Sequence, residues 1–407
     1  MEKNNIIYEG NFAFDIDKNE ITAYLGIENK SVTIPEMIGG YKVKKLASRL
    51  FSEFTELKSV IISDSVEEIG EYAFYDCTSL TEIKLSNNLR IISDHAFCNC
   101  ESLANITIPK SVQEIHEAAF EYCKSLKNIA LPDSMIWIDE TVFYGCSELE
   151  SVVIPKGLTL IGGDAFIGCK KLKSIDIPES VDEIGWFAFE GCESLTSITV
   201  PDNVTEIRDR VFAFCKNLTE IKLHENISKI GDGVFTGCEN LTKISIPDKV
   251  TMIGSELFAD CKHLTSLTLG ENIQAIRLRA FDGCAGLTEI KLPSGLKGIS
   301  DDLFNGCTSL KNIEIPNSVV VIGAHAFRNC TSLISITIPD SVTMIGTSLD
   351  LYDDRCITHS SNELAEGVFD GCTNLQSIFY KGICYDREHI GELYKAINGC
   401  EKGRNNE

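Results

Sequence analysis

The chain has 407 residues, and its 37 lysines and arginines face 60 aspartates and glutamates, which gives a net charge of −23. This balance argues against binding a nucleic-acid backbone or an anionic membrane surface, because both need clustered positive charge. No apolar run approaches the roughly 18–20 residues of a membrane span. The first residues also lack the apolar core of a signal peptide. From the sequence as written we expect a cytoplasmic protein.

Residues 1–42 predict a β-hairpin at the start of the fold. Residues 12–16 and 20–25 alternate apolar and polar side chains, and the polar residues 17–19 lie between them. Residues 31–35 already have the pattern of a later strand. Because a stacked repeat needs an atypical end to shield its core, we expect residues 1–42 to form an N-terminal cap.

A 23-residue segment then repeats along most of the chain. Twelve cysteines, from Cys77 to Cys330, stand at steps of 23 residues, with a phenylalanine three residues before each and a leucine three residues after each. The register extends back to Phe51 and forward, past an insertion, to Phe369 and Cys372, which makes 14 copies. A fixed period of this length is typical of a solenoid, because one such segment cannot bury its apolar side alone.

Each copy predicts one strand and two further buried segments. In the copy that begins at Leu195, alternating apolar residues indicate a short strand, and Pro201 ends it. Val204 and Ile207 point inward from the next side of the coil, and Phe212 lies in a short 3₁₀ or α-helical turn. The expected fold is therefore a right-handed α/β solenoid, with short parallel strands on one face and short helical or 3₁₀ turns on the opposite face.

The repeat follows a known consensus closely. Residues 333–346 read Leu-Ile-Ser-Ile-Thr-Ile-Pro-Asp-Ser-Val-Thr-Met-Ile-Gly. This segment resembles the BspA-type leucine-rich repeat, and the resemblance covers about residues 43–380. Ser86, His224 and Gly270 replace the proline in three copies, and Phe54 replaces the first cysteine. The resemblance implies a leucine-rich-repeat solenoid with an N-terminal cap, and proteins that serve at cell surfaces as adhesins or host-protein binders.

The repeated cysteines predict buried free thiols. Twelve of the 17 cysteines occupy one repeat position, and Phe54 can take its place. That position therefore requires a small buried apolar residue, and free cysteine behaves as one. Stacked neighbours would lie about 4.8 Å apart, which is close enough to form disulfides. The ladder of thiols thus favours a reducing compartment.

A 19-residue insertion interrupts the repeats at about 347–365. Ile345 lies 24 residues before Phe369, whereas five residues separate the equivalent positions in the preceding copy. Insertions in solenoids form projecting loops, which are either tolerated expansions or binding loops. Five residues of this insertion contain metal-ligating groups, but a solvated acidic loop fits their spacing better. These five are Asp350, Asp353, Asp354, Cys356 and His359.

Residues 381–407 predict a C-terminal cap. The last strand is expected at 375–380, and Ile390, Leu393, Tyr394 and Ile397 then recur at helical spacing. We expect an amphipathic helix that covers the far end of the core, followed by a polar tail. A helix that binds a partner is the alternative.

No catalytic motif emerges from the chain. It contains no phosphate-binding glycine loop, no nucleophile elbow and no zinc-protease motif. Its seven histidines occupy different repeat positions, and cysteines spaced 23 residues apart do not match a zinc site. The sequence therefore predicts a protein that is not an enzyme and has no cofactor and no metal site.

The outward positions of the predicted strands form the candidate binding surface. They carry small hydroxyl and amide groups with scattered charge, without clustered Trp, Tyr and Arg anchors. The candidate residues for protein binding are Glu82, Lys84, Asn105, Asn128, Asp176, Glu220, Lys222, Lys243, Glu289, Lys291, Asn312 and Glu314. The adjoining turn adds an acidic line, formed by Asp64, Asp133, Glu179, Asp202, Glu225, Asp248, Glu271 and Asp340.

Three functions remain as hypotheses. The first is a non-enzymatic protein-binding solenoid that acts in surface adhesion or host-protein binding, as the resemblance implies. The second is a cytoplasmic scaffold or regulatory interaction protein, which the absent signal peptide and the thiol ladder favour. The third is a hydrolase or metal-dependent enzyme that uses the insertion at 347–365. In the first two cases the partner is a protein ligand, with no nucleic acid and no direct insertion into a membrane.

Overall fold

The computed structural model describes residues 5–26, 28–352, 355–359 and 367–399. Its contacts form two compact units, Met1–Val204 and Thr205–Glu407, which we call the first unit and the second unit. Each unit is built from stacked turns of 23 residues, so the chain is a solenoid of parallel strands with about 14 turns.

The first unit contains eighteen described strands. They are β1 (Ile6–Glu9), β2 (Phe12–Asp15), β3 (Glu20–Tyr24), β4 (Ser31–Thr33), β5 (Met37–Ile38), β6 (Tyr41–Lys42), β7 (Lys45–Leu46), β8 (Ser59–Ile61), β9 (Glu68–Ile69), β10 (Glu82–Lys84), β11 (Ile91–Ile92), β12 (Glu114–Ile115), β13 (Asn128–Ala130), β14 (Trp137–Ile138), β15 (Ser151–Val153), β16 (Leu160–Ile161), β17 (Glu183–Ile184) and β18 (Ser197–Thr199).

The second unit contains fourteen described strands, one 3₁₀ turn and one α-helix. The strands are β19 (Glu206–Ile207), β20 (Glu220–Lys222), β21 (Lys229–Ile230), β22 (Lys243–Ser245), β23 (Met252–Ile253), β24 (Ser266–Thr268), β25 (Ala275–Ile276), β26 (Gly298–Ile299), β27 (Val321–Gly323), β28 (Ser335–Ile338), β29 (Met344–Tyr352), β30 (Arg355–His359), β31 (Ser377–Tyr380) and β32 (Ile383–Tyr385). The 3₁₀ turn is Arg387–His389, and helix α1 is Ile390–Asn398.

The predicted strands form the first side of each turn, which we call the strand face. Ser59 of β8 pairs in parallel with Glu82 of β10, and Lys243 of β22 pairs with Ser266 of β24. In these strands the middle residue faces the core and its two neighbours face solvent, as the alternation predicted. The parallel strands of the sequence-based prediction are confirmed.

A second side carries a ladder of two-residue strands that the sequence did not predict. It is formed by the Val-x-x-Ile segment, which was expected only to point inward. Ile92 of β11 pairs with Ile69 and Ile115, and Ile276 of β25 pairs with Ile253. Each of these isoleucines is buried. The segment therefore contributes both apolar packing and backbone hydrogen bonds between turns.

The third side differs from its prediction. No α- or 3₁₀-helix is assigned there in any described turn, so the expected helical turns are wrong. Instead, alternate amides donate to the next turn: Tyr72 N to the Asp94 carbonyl at 3.0 Å, Phe74 N to the Ala96 carbonyl at 2.8 Å, and Asp76 N to the Cys98 carbonyl at 3.0 Å. We call this third set of bonds the turn ladder.

The turn ladder requires two left-handed residues in most turns. One lies two residues before the phenylalanine, such as Tyr72 with φ of 56°, and the other lies two residues after it, such as Asp76 with φ of 56°. L-residues other than glycine, asparagine and aspartate rarely adopt this conformation. The second position accordingly holds Gly, Asn or Asp in most turns.

The repeated phenylalanines form a continuous stack inside each unit. In the first unit Phe51 to Phe189 stack with ring centroids 5.1–5.9 Å apart, and in the second unit Phe212 to Phe369 stack at 5.4–6.0 Å. Planes of adjacent rings differ by 17° or less. Because aromatic rings bury large areas in such offset arrangements, the stack supplies much of the apolar driving force for folding.

The repeated cysteines do more than fill space. The thiol of a repeat cysteine donates to the carbonyl of the phenylalanine in the preceding turn, as Cys100 Sγ does to Phe74 O at 3.2 Å. The same carbonyl accepts the Cys77 amide at 3.2 Å. The repeat cysteines described as free are buried, which confirms the prediction of buried free thiols. The hydrogen bond from the thiol to a phenylalanine carbonyl was not predicted.

The ends of the chain and the insertion have their own elements. β1, β2 and β3 form an antiparallel sheet, and β3 continues in parallel into β7. The insertion was expected to be a loop, but β29 and β30 pair as an antiparallel hairpin, so that expectation is wrong for those residues. The side chains of 348–366, including all five candidate metal ligands, lie outside the described part of the structure.

The predicted C-terminal helix is present as α1. Its Leu393 and Ile397 are buried, as the helical spacing predicted. Asn398, its last residue, bonds to the backbone of Ile345: its Nδ2 donates to the carbonyl at 3.0 Å, and its Oδ1 accepts from the amide at 2.8 Å. These contacts fix the end of α1 against β29.

Replacing Phe189 with alanine should lower the free energy of unfolding by roughly 2–5 kcal/mol, because the ring is fully buried in the stack. Replacing Cys192 with alanine should cost less, since the Phe166 carbonyl keeps the Cys169 amide as a donor. Denaturant unfolding of both variants measures this. A larger loss for Cys192→Ala would mean that the thiols, not the rings, dominate the core.

Two glycines of the turn ladder give a matched pair. Gly145 and Gly168 have φ of 69° and 68°, so alanine at either costs roughly 1–2 kcal/mol of backbone strain. A Cβ on Gly145 would also lie 2.5 Å from Cδ1 of the Tyr122 ring, whereas Gly168 has 3.8 Å of clearance. Gly145→Ala should therefore be the more destabilising in denaturant unfolding. Equal losses would show that Tyr122 does not cover Gly145.

Candidate interaction surface

All twelve candidate residues of the strand face are exposed. In the first unit, Glu82 and Lys84 lie on β10, Asn128 lies on β13, and Asn105 forms a single bridge with Asn128. Asp176 lies in a turn without an assigned strand. The alternation of apolar and polar residues therefore predicted the exposure of these side chains correctly. Their role in binding is a proposal.

In the second unit the remaining candidates follow the same face. Glu220 and Lys222 lie on β20, and Lys243 lies on β22. Lys291 and Glu314 are joined by a single bridge, while Glu289 and Asn312 lie outside assigned strands. The strand face is therefore not uniform along this unit.

Four of the predicted strands are absent from the described strand face. They are the segments 105–107, 174–176, 289–291 and 312–314, where the structure has single bridges or no assigned pairing. Next to the third gap, Leu267 of β24 is partly exposed, whereas the equivalent Ile244 is buried with 6% exposure. β24 has no paired strand on that side, which leaves a local opening in the strand face.

A cleft of about 690 Å³ occupies this opening in the second unit. Leu267, Ile290 and Leu292 contribute its apolar lining. Its polar groups include three of the candidate residues, Glu289, Lys291 and Glu314, together with Ser266 of β24. We call it the strand-face cleft. Apolar walls with a few charged groups are typical of a binding site.

The charges of the strand-face cleft are only partly neutralised. Lys291 Nζ lies 2.7 Å from Glu271 Oε1, and this hydrogen bond raises the pKa of the Lys291 ammonium. The carboxylates of Glu289 and Glu314 have no side-chain partner among the described residues. By contrast, Glu220 is paired with Lys243 at 3.2 Å. The cleft therefore presents two carboxylates that are available to a ligand.

The acidic line beside the strand face has a structural role that the sequence did not reveal. Asp64 Oδ1 accepts the Asn87 amide of the next turn at 2.9 Å, and this bond lowers the pKa of the Asp64 carboxyl group. Asp248 Oδ1 accepts the Glu271 amide in the same way at 3.1 Å. These carboxylates hold neighbouring turns together, which makes them poorer candidates for ligand contacts.

The repeat thiols are not nucleophiles. Burial raises the pKa of the Cys77 thiol to about 12 and that of Cys372 to about 11. A thiolate is the reactive form, so these side chains are inert at neutral pH. Among the cysteines described as free, Cys384 on β32 is the exposed one.

The described residues contain no group of three His, Cys, Asp or Glu side chains that could bind a metal ion. None of the described helices is long and apolar enough to span a bilayer.

The strand-face cleft could not be predicted from a repeat pattern that is the same in every copy of the 23-residue segment. The cleft lies where β24 lacks a paired strand, and the nearest signal in the sequence is Gly270, which replaces the usual proline after β24.

Comparison with known proteins identifies the repeat. A profile of the BspA type leucine rich repeat region matches with 6 copies at residues 44–169, 136–265 and 251–350. A leucine-rich repeat protein from Bacteroides ovatus is 27% identical, with coverage of 84% of this chain and 94% of its own and a TM-score of 0.67. A leucine rich cell surface protein from Faecalibacterium prausnitzii is 28% identical, with 94% and 96% coverage and a TM-score of 0.57. No curated protein matches the chain.

The buried thiols predict a loss of stability at alkaline pH. Burial raises the pKa of Cys238 from 9 to about 12, so the unfolded chain ionises first as the pH rises. The contribution is fully present below pH 9 and is lost between pH 9 and 12, at about 1.4 kcal/mol per pH unit for one thiol.

Denaturant unfolding at pH 8 and pH 10 in reductant tests this. The fall in unfolding free energy should be about 1 kcal/mol smaller for Cys238→Ala than for the native chain. An identical fall in both proteins would contradict the burial of this thiol.

Proposed function

Because the chain belongs to the family of BspA-type leucine-rich repeat proteins, we propose that it is a non-enzymatic protein that binds a protein ligand on its strand face. Repeats of this kind present rows of side chains from successive turns, which suits contact with an extended protein surface. The outward residues of the strand face contribute nothing to the core, so they are available for a ligand.

The strand-face cleft is the observation that carries the proposal. It offers a partly exposed leucine, two carboxylates without partners, and a segment at 289–291 that does not pair with β24. An extended segment of a ligand can place an apolar side chain against Leu267 and a polar or cationic group against Glu289 or Glu314. Main-chain hydrogen bonds and alternate side-chain pockets are the usual basis of such recognition.

We propose that the protein acts at a cell surface, in adhesion or binding of a host protein. The likeness to a cell surface protein of Faecalibacterium prausnitzii over 94% of this chain supports this location. The ladder of free thiols supports the alternative, a scaffold in the reducing cytoplasm. The two functions share the same binding face and differ in the compartment.

The organisation of the chain completes the proposal. We assign residues 1–42 to an N-terminal cap, 43–380 to a right-handed repeat region and 381–407 to a C-terminal capping helix and tail. The pairing of β3 with β7 and the contact of Asn398 with Ile345 support the two caps, since each terminal element continues or contacts a repeat turn.

The location is tested by labelling Cys384 on intact native cells with a membrane-impermeant maleimide. Its exposed thiol reacts without unfolding, and the buried repeat thiols do not. Surface function predicts labelling of Cys384 before lysis, with a cytoplasmic cysteine protein as the negative control and Cys384→Ser as the specificity control. Labelling only after lysis would establish the cytoplasmic scaffold instead.

The binding face is tested by site-specific photo-crosslinking in native cells. A benzophenone side chain at Ser266, inside the strand-face cleft, should give a discrete adduct with the ligand. The same group at Arg328, an exposed residue on the turn side of the second unit, is the matched control and should give none. Adducts from Arg328 but not from Ser266 would overturn the assignment of the face.

A further inference from the structure

The turn side of the first unit carries a cluster of half-buried aromatic side chains. Tyr72 stacks on His95 with ring centroids 4.6 Å apart and meets Tyr75 edge-on at 5.6 Å. Tyr122 meets Tyr144 edge-on at 5.3 Å. A depression of about 560 Å³ joins the two groups, because it is lined by Tyr72, Tyr75, His95 and Tyr122. We call Tyr72, Tyr75, His95, Tyr122 and Tyr144 the aromatic patch.

Three members of the aromatic patch occupy strained positions. Tyr72, His95 and Tyr122 have φ of 56°, 54° and 54°, in the left-handed region. The position of Tyr122 holds glycine, asparagine or aspartate in most other turns, where the strain is small. An aromatic residue at the Tyr122 position therefore costs stability relative to glycine. Packing of Tyr122 over Gly145 offsets part of that cost.

The surroundings of the aromatic patch are acidic. Glu121 lies within the depression, where its Oε2 accepts from Cys98 Sγ at 3.3 Å and lies 3.9 Å from His95 Nε2. Two carboxylates, Glu53 and Glu121, and one cation, Arg49, line the depression. Asp76 lies beside it, where its Oδ1 accepts from Asn99 Nδ2 at 2.7 Å. The excess of negative charge favours a cationic partner.

Two cations of the chain already lie over rings of the aromatic patch. The guanidinium carbon of Arg49 lies 4.4 Å from the centroid of the Tyr72 ring, whereas Nζ of Lys124 lies 6.0 Å from the centroid of the Tyr122 ring. Arginine stacks on aromatic faces and bonds to carboxylates through its planar fork, which the compact lysine ammonium does not reproduce. An arginine of a partner can therefore approach the Tyr122 ring more closely than Lys124 does and bond to Glu121.

We propose that the aromatic patch is a second docking surface, which binds an arginine-containing basic segment of a partner protein. It lies on a different side of the turns from the strand face and uses residues of the first unit only. The aromatic rings provide the anchors that the strand face lacks, and tyrosine and arginine are the residues that dominate protein interfaces.

The test uses two fluorescent peptides of equal charge, nona-arginine and nona-lysine, with the purified full chain at 150 mM salt. Fluorescence anisotropy should show tighter binding of nona-arginine by about fivefold, because the rings favour guanidinium and the acidic surface attracts both peptides alike. An uncharged serine-rich peptide of the same length should not bind.

The key variant is the double substitution Tyr72→Asn and Tyr122→Gly. Both new residues adopt left-handed φ without strain, so the fold should persist, which thermal unfolding verifies. This variant should bind the two cationic peptides equally. Phe187→Asn is the matched control, because it removes a ring from a left-handed position of the same unit outside the patch, and it should keep the preference for arginine.

A second variant covers the case in which the double variant fails to fold. Glu121→Gln keeps the shape of the side chain and should also reduce the preference for arginine. The proposal is overturned if the native chain binds both cationic peptides equally, if the preference survives in the double variant, or if Phe187→Asn loses it to the same extent. Equal binding of the serine-rich peptide would show that binding does not depend on cationic charge and would also overturn it.

Discussion

The hydrogen bonding of each repeated phenylalanine is the interaction on which the rest of the structure depends. The amide of Phe74 donates to Ala96 in the next turn, while its carbonyl accepts both the Cys77 amide and the Cys100 thiol. Burying these backbone groups without partners would cost about 1–3 kcal/mol each. Since two of these three bonds cross to the next turn, a change in the 23-residue spacing would break both at once.

This constraint explains why the strand face can vary. Turns are held by the turn ladder, by the second ladder of short strands and by the phenylalanine stack, so the strand face is one of several connections between them. Loss of strand pairing at 289–291 is therefore tolerated, and the opening that results becomes the strand-face cleft. Because the core and the ladders hold the turns together, the outward side chains of each turn can change without loss of the core. This suits a family whose members bind proteins.

Much of the fold could be predicted from the repeat itself. The alternation around Ile198 identified its strand, and the twelve candidate residues proved exposed because a strand places successive side chains on opposite faces. The turn side was mispredicted because Phe, Cys and Leu spaced three apart fit a helical turn as well as a chain that alternates through left-handed residues. The frequent Gly, Asn and Asp just before each cysteine was the signal that distinguishes them.

The candidate sites were less accessible to sequence reasoning. The strand-face cleft depends on whether β24 pairs with the next turn, and the aromatic patch depends on which side chains of neighbouring turns are in contact. The repeat pattern of the sequence contains neither piece of information. The thiol hydrogen bonds were also not predicted. Phe54 stands at the equivalent position and has no thiol, which suggested that only the size and apolar character of the side chain mattered there.

The phenylalanine row holds the turns together, while the strand face is locally open. Hydrogen exchange of the native chain, resolved by mass spectrometry of short peptides, measures this difference. Amides of the phenylalanine row, such as Phe281 bonded to Leu303 at 3.1 Å, should exchange slowest, and amides at 289–291 should exchange much faster. Equally fast exchange in both segments would show that the phenylalanine row does not hold the turns together.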